Sequence, residues 1–163
     1  MKKNNIILVS LVVFLLQLIF VDFLAINNIR PDFLIIYILY IALIYGRIVS
    51  IILAFIIGLI SDLIGVSSYL GLTPLTLSIT AYLSGFLYGK YERLLPYIFH
   101  SCWLATFFLH FFILNYFLFQ SLFISDKSDF FIIWITSSSY TLIFIFVLQF
   151  FYPLKEASRA KVS

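Results

Sequence analysis

Residues 6–26 form an apolar run of 21 residues, broken only by Ser10, Gln17 and Asp22. An α-helix of that length, rising about 1.5 Å per residue, crosses the ~30 Å hydrocarbon core of a bilayer. Lys2 and Lys3 precede the run, as in a secretory signal. The apolar stretch is longer than the roughly 7–15 residues of a signal core, and no small-x-small cleavage site follows it, so it reads as a retained first helix. The rest of the chain repeats this character. Apolar residues make up 64% of its 163 positions and charged residues 10%, against roughly 45–50% and about 25% in soluble proteins. Ten Lys/Arg and seven Asp/Glu cannot clothe a globule of this size in polar side chains. That excludes a soluble enzyme, a disordered chain and a nucleic-acid binder, and the net charge of +3 is no sign of nucleic acid. Aromatic residues, 20% of the chain, suit a lipid-bathed body with rings at its interfaces. A lone cysteine, Cys102, leaves no intrachain disulfide and no cysteine-based metal site.

The breaks set the spans. Asn27-Asn28-Ile29-Arg30-Pro31-Asp32 ends the first, and Pro31 suits the first turn of the next helix, with Asp32 near its dipole. Residues 31–64 contain Gly46-Arg47. A single helix through them would hold Arg47 near mid-membrane, which is costly. A hairpin of two short arms, 31–46 and 48–64, puts Arg47 at a surface. Further spans are expected at 73–89, 95–120 and 130–152, with 153–163 as a short basic tail. The expected fold is thus an all-α polytopic membrane protein, one integral domain of six transmembrane helices. With both termini on one side, that side holds Lys2, Lys3, Arg47, Lys90, Arg93, Lys155, Arg159 and Lys161, and the other only Arg30 and Lys127. The positive-inside rule then makes both termini cytoplasmic. Fusing residues 31–64 into one span would scatter these charges to the wrong sides.

Polar and small residues inside the spans are the candidate functional positions. Ala54, Gly58, Asp62 and Gly65 recur on one narrow helix face, where small residues let another backbone approach. Asp62 reads either as an acceptor anchoring the Gly-rich loop 65–72 or a partner segment, or as a solvated acid at a helix end. In the fourth span Thr73, Thr76, Thr80 and Ser84 line one side, and Ser78, Ala81, Gly85 and Gly89 another. This describes a helix wedged between neighbours, unless the hydroxyls merely bond to their own helix carbonyls. Asp22, Arg30, Asp32 and Asp62 all fall near the outer surface in this topology, as a functional site or as an ion-pair rim. His100 and His110 are ten positions apart, face different ways and read as hydrogen-bonded packing residues, as does Asn115. The hydroxyl run 136–141 reads as helix packing or as the border of a polar cavity. No nucleophile with a nearby base, Walker loop or HExxH segment is present, so neither catalysis nor a cofactor or metal is expected.

Arg30-Pro31-Asp32-Phe33 opening a short helix, the Gly46-Arg47 turn, Gly58-Leu59-Ile60-Ser61-Asp62-Leu63-Ile64-Gly65 and then Tyr69-Leu70-Gly71-Leu72 resemble, in order and spacing, the bacterial rod shape-determining MreD family. The likeness runs over nearly the whole chain. It implies a non-catalytic inner-membrane component of the cell-elongation machinery, acting in lateral peptidoglycan synthesis. The implied partners are the bilayer and a bitopic MreC-like protein, and through it an MreB-like filament, RodA and a class B penicillin-binding protein. It also implies a fold similar to the substrate-binding S-components of energy-coupling-factor transporters. The alternative function is therefore a small-molecule-binding subunit of a membrane transporter. In S-components, small residues four apart on the first helix dock the coupling subunit. Here only Ser10 and Ala25 are small and they lie far apart, which favours the scaffold. The candidate partner or helix-packing positions are Pro31, Asp32, Gly58, Asp62, Gly65, Gly71 and Gly85. Their use purely within the chain, holding the second, third and fourth helices together, stands as the other option.

Overall fold

The computed structural model describes residues 3–25, 29–64 and 69–159. Gly65, Lys2 and Lys161 lie outside the described residues, as does the side chain of Asp22. Among the described residues the chain is helical, with no strand. Its elements are α1 (Lys3–Phe23), α2 (Phe33–Tyr45), α3 (Arg47–Leu63), α4 (Leu72–Ser84), α5 (Pro96–Leu118), α6 (Gln120–Ser125), α7 (Lys127–Phe151) and α8 (Leu154–Arg159).

The middle of the bundle is α2. Its sequence, FLIIYILYIALIY, offers no polar stripe, and a helix apolar all round belongs inside a bundle. Residues 34–39 and 41–43 are buried, and the helix packs against α1, α3, α4 and α8. Its 13 residues make only about 20 Å of helix, whereas the 23 and 25 residues of α5 and α7 make about 35 and 37 Å. Both α5 and α7 are long and apolar enough to cross a membrane.

Around it, α5 buries the large rings Phe99, Trp103, Phe107 and Phe111, whereas α3 turns small and polar groups inward and large apolar ones outward. In α3, Ser50, Ala54, Gly58, Ser61 and Asp62 are buried, while Ile48, Ile52, Phe55, Ile56 and Ile60 are exposed. The outer face of α7 carries Ile132, Ile143, Phe146 and Phe150. A water-soluble monomer would bury these side chains, and exposed apolar surface on this scale requires an apolar surrounding.

Gly46 separates α2 from α3 by a single residue. Its φ of +80° lies in the left-handed half of backbone space, open to glycine and strained for other residues. The Gly46 N–H still closes α2 on the Ala42 carbonyl (3.1 Å), and the Ser50 hydroxyl donates to the Gly46 carbonyl (2.8 Å). Arg47 is exposed there, its guanidinium carbon 4.0 Å from the centroid of the Phe86 ring.

Several boundaries differ from those read along the sequence, each for a local reason. The helix expected from Pro31 begins at Phe33, because Asp32 has extended backbone and caps it. The helix expected over 73–89 stops at Ser84 and tightens into a 3-10 turn, Gly85–Leu87, before Gly89 at φ +62°. The helix expected over 95–120 ends at Leu118, where Phe119 leaves helical geometry, and a separate short helix, α6, fills residues read as its end and the following loop. Tyr116, Phe123 and Phe130 pin α6 edge to face, with centroids 5.1 and 4.9 Å apart. The charged loop 125–129 shrinks to Asp126, whose carboxylate accepts from the Ser128 and Asp129 N–H groups and starts α7 three residues early. The tail is also structured: α8 buries Leu154, Ala157 and Ser158, and the Ser158 hydroxyl donates to the Leu87 carbonyl at 2.9 Å.

Candidate functional site

The first four N–H groups of a helix have no partner within it. At a helix end in water the solvent takes them. The start of α2 is enclosed by its neighbours, beside the middle of α7, and the protein itself satisfies all four. The Asp32 N–H donates to Thr141 Oγ1 of α7 (3.2 Å), and the Phe33 N–H to Gln17 Oε1 of α1 (2.8 Å). The Leu34 and Ile35 N–H groups donate to Asp32 Oδ1 (2.8 and 3.2 Å). Gln17 and Thr141 are buried. This leaves Asp32 Oδ2, which points at His110 of α5: Nε2 lies 3.6 Å away, inside ion-pair range but beyond a hydrogen bond. The other ring nitrogen of His110, Nδ1, is 3.0 Å from Thr80 Oγ1 of α4. Five helices thus converge on the start of α2, which is the candidate site. The Asp32 side chain is 17% exposed and sits among interior groups of the bundle.

A second junction joins α3 to α4. Gly58 lies flat against the start of α4, so that a Cβ placed on it would come 2.5 Å from Pro74 Cα and 2.6 Å from Pro74 N. One helical turn on, Asp62 Oδ2 accepts from the Gly71 N–H at 2.6 Å. Gly71 takes φ +95° at the entry to α4, a left-handed conformation that needs glycine. At the other end of α4, a Cβ on Gly85 would lie 2.8 Å from Arg47 Cα. Between these points Thr73, Thr76, Thr80 and Ser84 are all buried. Thr76 and Thr80 also bond to carbonyls of their own helix. α4 is thus wedged between α2, α3 and α5, with Thr76 and Thr80 satisfied within their own helix, while the buried Ser84 hydroxyl has no hydrogen-bond partner. Since Arg47 opposes with backbone, Gly85→Ala is expected to cost about 1–3 kcal/mol, read as a lowered unfolding midpoint of the purified protein in detergent.

The candidate positions fall into separate groups. Gly58, Asp62 and Gly71 belong to the α3–α4 junction, Gly85 to its far end, and Pro31 and Asp32 to the start of α2, where Pro31 is buried just outside the helix. Gly65 lies outside the described residues. His110 bonds to Thr80, and His100 Nδ1 accepts from the Trp103 indole N–H (2.9 Å). In the hydroxyl run 136–141, Thr136 and Ser138 bond back to their own helix, while Thr141 serves α2 and the Tyr140 hydroxyl donates to the Leu24 carbonyl at 2.7 Å. Gln17, Thr80, His110 and Thr141 each stand out in sequence as polar interruptions of apolar spans. What sequence does not carry is that one aspartate gathers them. Among the described residues no three His, Cys, Asp or Glu side chains converge as metal ligands do.

Inward polar groups, an apolar exterior and close backbone contacts at glycines define a helical membrane protein organised around packing. The match to known families is specific: the model of the rod shape-determining protein MreD family covers residues 3–156. The chain belongs to that family, and with it to the determination of rod cell shape. No curated protein and no solved structure shows a significant match to it.

Proposed function

We propose that this chain is a non-catalytic scaffold of the cell-elongation complex in the bacterial inner membrane. It crosses the bilayer six times as one integral domain, with both termini in the cytoplasm, in an arrangement like that of S-components. It holds an MreC-like bitopic protein and, through it, an MreB-like filament, RodA and a class B penicillin-binding protein, and so directs lateral peptidoglycan synthesis. Family membership over residues 3–156 is the observation that carries this reading.

In lipid, helices associate through close fit, since no hydrophobic drive acts between them. Gly58, Asp62, Gly71 and Gly85 are already engaged within the chain, which supports the internal use of these positions. A partner helix would instead meet the exposed side chains beside them, such as Phe55 and Ile56. The transporter alternative calls for polar groups converging in a ligand pocket. A groove of about 440 Å³ does open between α1, α2 and α7, but its wall is apolar apart from Tyr37, Tyr40 and Tyr152, and the Tyr37 and Tyr40 hydroxyls are bonded to the Ile6 and Tyr152 carbonyls. That favours the scaffold.

A photo-crosslinker at position 55 or 56, in cells that also make the MreC-like protein, is expected to give an adduct with that protein. Labelling confined to this chain would overturn the proposed contact. Reporters fused after Ser163 and at Arg47 are expected to read cytoplasmic, and one at Asp126 periplasmic.

A further inference from the structure

The helices of this bundle differ in length, and the side that carries α3 is the short one. The 17 residues of α3 make about 25 Å of helix. Its neighbour α4, continued by the 3-10 turn, runs from Leu72 to Leu87 and makes about 24 Å. Both fall short of the ~30 Å hydrocarbon core, whereas α5 and α7 exceed it. A helix that is too long tilts until it fits. One that is too short gains nothing by tilting, which only lowers its height, and the bilayer beside it thins instead.

Unlike α2, α3 is not hidden inside the bundle. Ile48, Ile52, Phe55, Ile56, Ile60 and Leu63 are exposed along its whole length. Neither end reaches further. At the first, a Cβ on Gly85 would stand 2.8 Å from Arg47 Cα, so Arg47 is level with the end of α4. Its guanidinium lies over Phe86, the next residue, and not outward toward distant headgroups. At the other end, α3 closes at Leu63 with Ile64 as its cap, and Tyr69 and Leu70 are exposed before α4 begins. Non-helical backbone does not lie bare in hydrocarbon, because its N–H and C=O groups would go unpaired. The apolar slab beside α3 therefore ends where the helix does.

We propose that the outer face of α3 is a bilayer-thinning surface. Beside it the two headgroup layers draw together by about 5 Å, the difference between the ~30 Å core and the ~25 Å helix. Beside α5 and α7 they keep their ordinary spacing. The lipid that fits this face is one with short acyl chains, which fill the thinner slab without compression. Such thinning rests on the proposed spanning of the bilayer by α3. It also gives the contact proposed at Phe55 and Ile56 a driving force, because a helix seated there displaces the compressed lipid.

The test reads depth. The single cysteine, Cys102, is replaced by serine. A new cysteine carrying a nitroxide is placed at Ile56, near the middle of α3, or at Ser139, in the middle of α7, both of them exposed. The full-length protein goes into vesicles of dimyristoleoyl, dioleoyl or dierucoyl phosphatidylcholine, in order of increasing thickness. Accessibility to oxygen and to a nickel chelate gives the depth of each label. In dioleoyl vesicles the label at 56 is expected about 12 Å below the headgroups, half the length of α3. That at 139 is expected about 15 Å below them, half the ordinary core. Across the three lipids the depth at 56 is expected to stay constant while the depth at 139 grows. A label at 56 that deepens in step with the one at 139 overturns the proposal, since α3 then follows the bilayer without setting its thickness. So does spin–spin broadening at 56, which puts a second copy of the chain where the thinned lipid should be. A label at 56 open to the nickel chelate would overturn the spanning of the bilayer by α3, and the thinning with it.

Discussion

Gly58→Leu is expected to prevent accumulation of folded protein and, in cells that depend on this chain, to turn rods into spheres. The argument is geometric. A Cβ on Gly58 meets Pro74 Cα and N at 2.5 and 2.6 Å and the Thr73 carbonyl carbon at 3.0 Å. All three opposing atoms are backbone, so no side chain can rotate out of the way. To make room α4 must move from α3, and the α3–α4 pairing is the most extensive in the bundle. Added core volume ordinarily costs about 1–3 kcal/mol, and Gly58→Ala should already lie in the upper part of that range. Leucine adds three more carbons to the same gap. Gly71 supplies the contrast: a Cβ there meets nothing within 4 Å. Gly71→Ala therefore carries only the strain of a left-handed alanine, roughly 1–2 kcal/mol. Thermal unfolding of purified variants in detergent, with cell shape scored in parallel, checks the order: Gly71→Ala milder than Gly58→Ala, and Gly58→Leu worst. Equal midpoints for Gly58→Leu and the unsubstituted protein would mean that the two helices do not touch there.

The second large effect is expected from Asp32→Ala. That substitution strips the acceptor from the Leu34 and Ile35 N–H groups at an enclosed helix start. It also removes the group facing His110 Nε2. Leaving enclosed N–H donors without an acceptor typically costs about 1–3 kcal/mol. Asp32→Asn is expected to recover about 1 kcal/mol of this, the usual worth of a capping side chain. An Asp32→Ala protein as stable as Asp32→Asn would show that water reaches the start of α2, which would remove the reason for calling it a site.

Much of the fold is legible in sequence. The lack of polar surface dictates an apolar surrounding, and Gly46 next to Arg47 dictates a turn. For Asp62 the sequence leaves an anchoring acceptor and a solvated acid equally open, and the bond from the Gly71 N–H is seen only in the fold. Less legible are the ends of elements. Asp126 and Asp32 act as caps where composition suggests a charged loop and a first helical turn, since capping depends on backbone angles at one residue. The helix formed by 154–159 escapes notice because its buried groups, Leu154, Ala157 and Ser158, are few and small.

By itself the sequence determined the solvent, through the hydrophobic and charge content of each segment, and the close-packing faces, through the 3.6-residue period of small residues; both are local properties of the chain. Tertiary structure alone decided that the short, wholly apolar α2 lies at the centre with its start enclosed. From that placement follows the gathering of Gln17, Thr80, His110 and Thr141 around Asp32. Four unpaired N–H groups shut away from water must find acceptors on whichever helices come near, and no spacing along the chain records which helices those are.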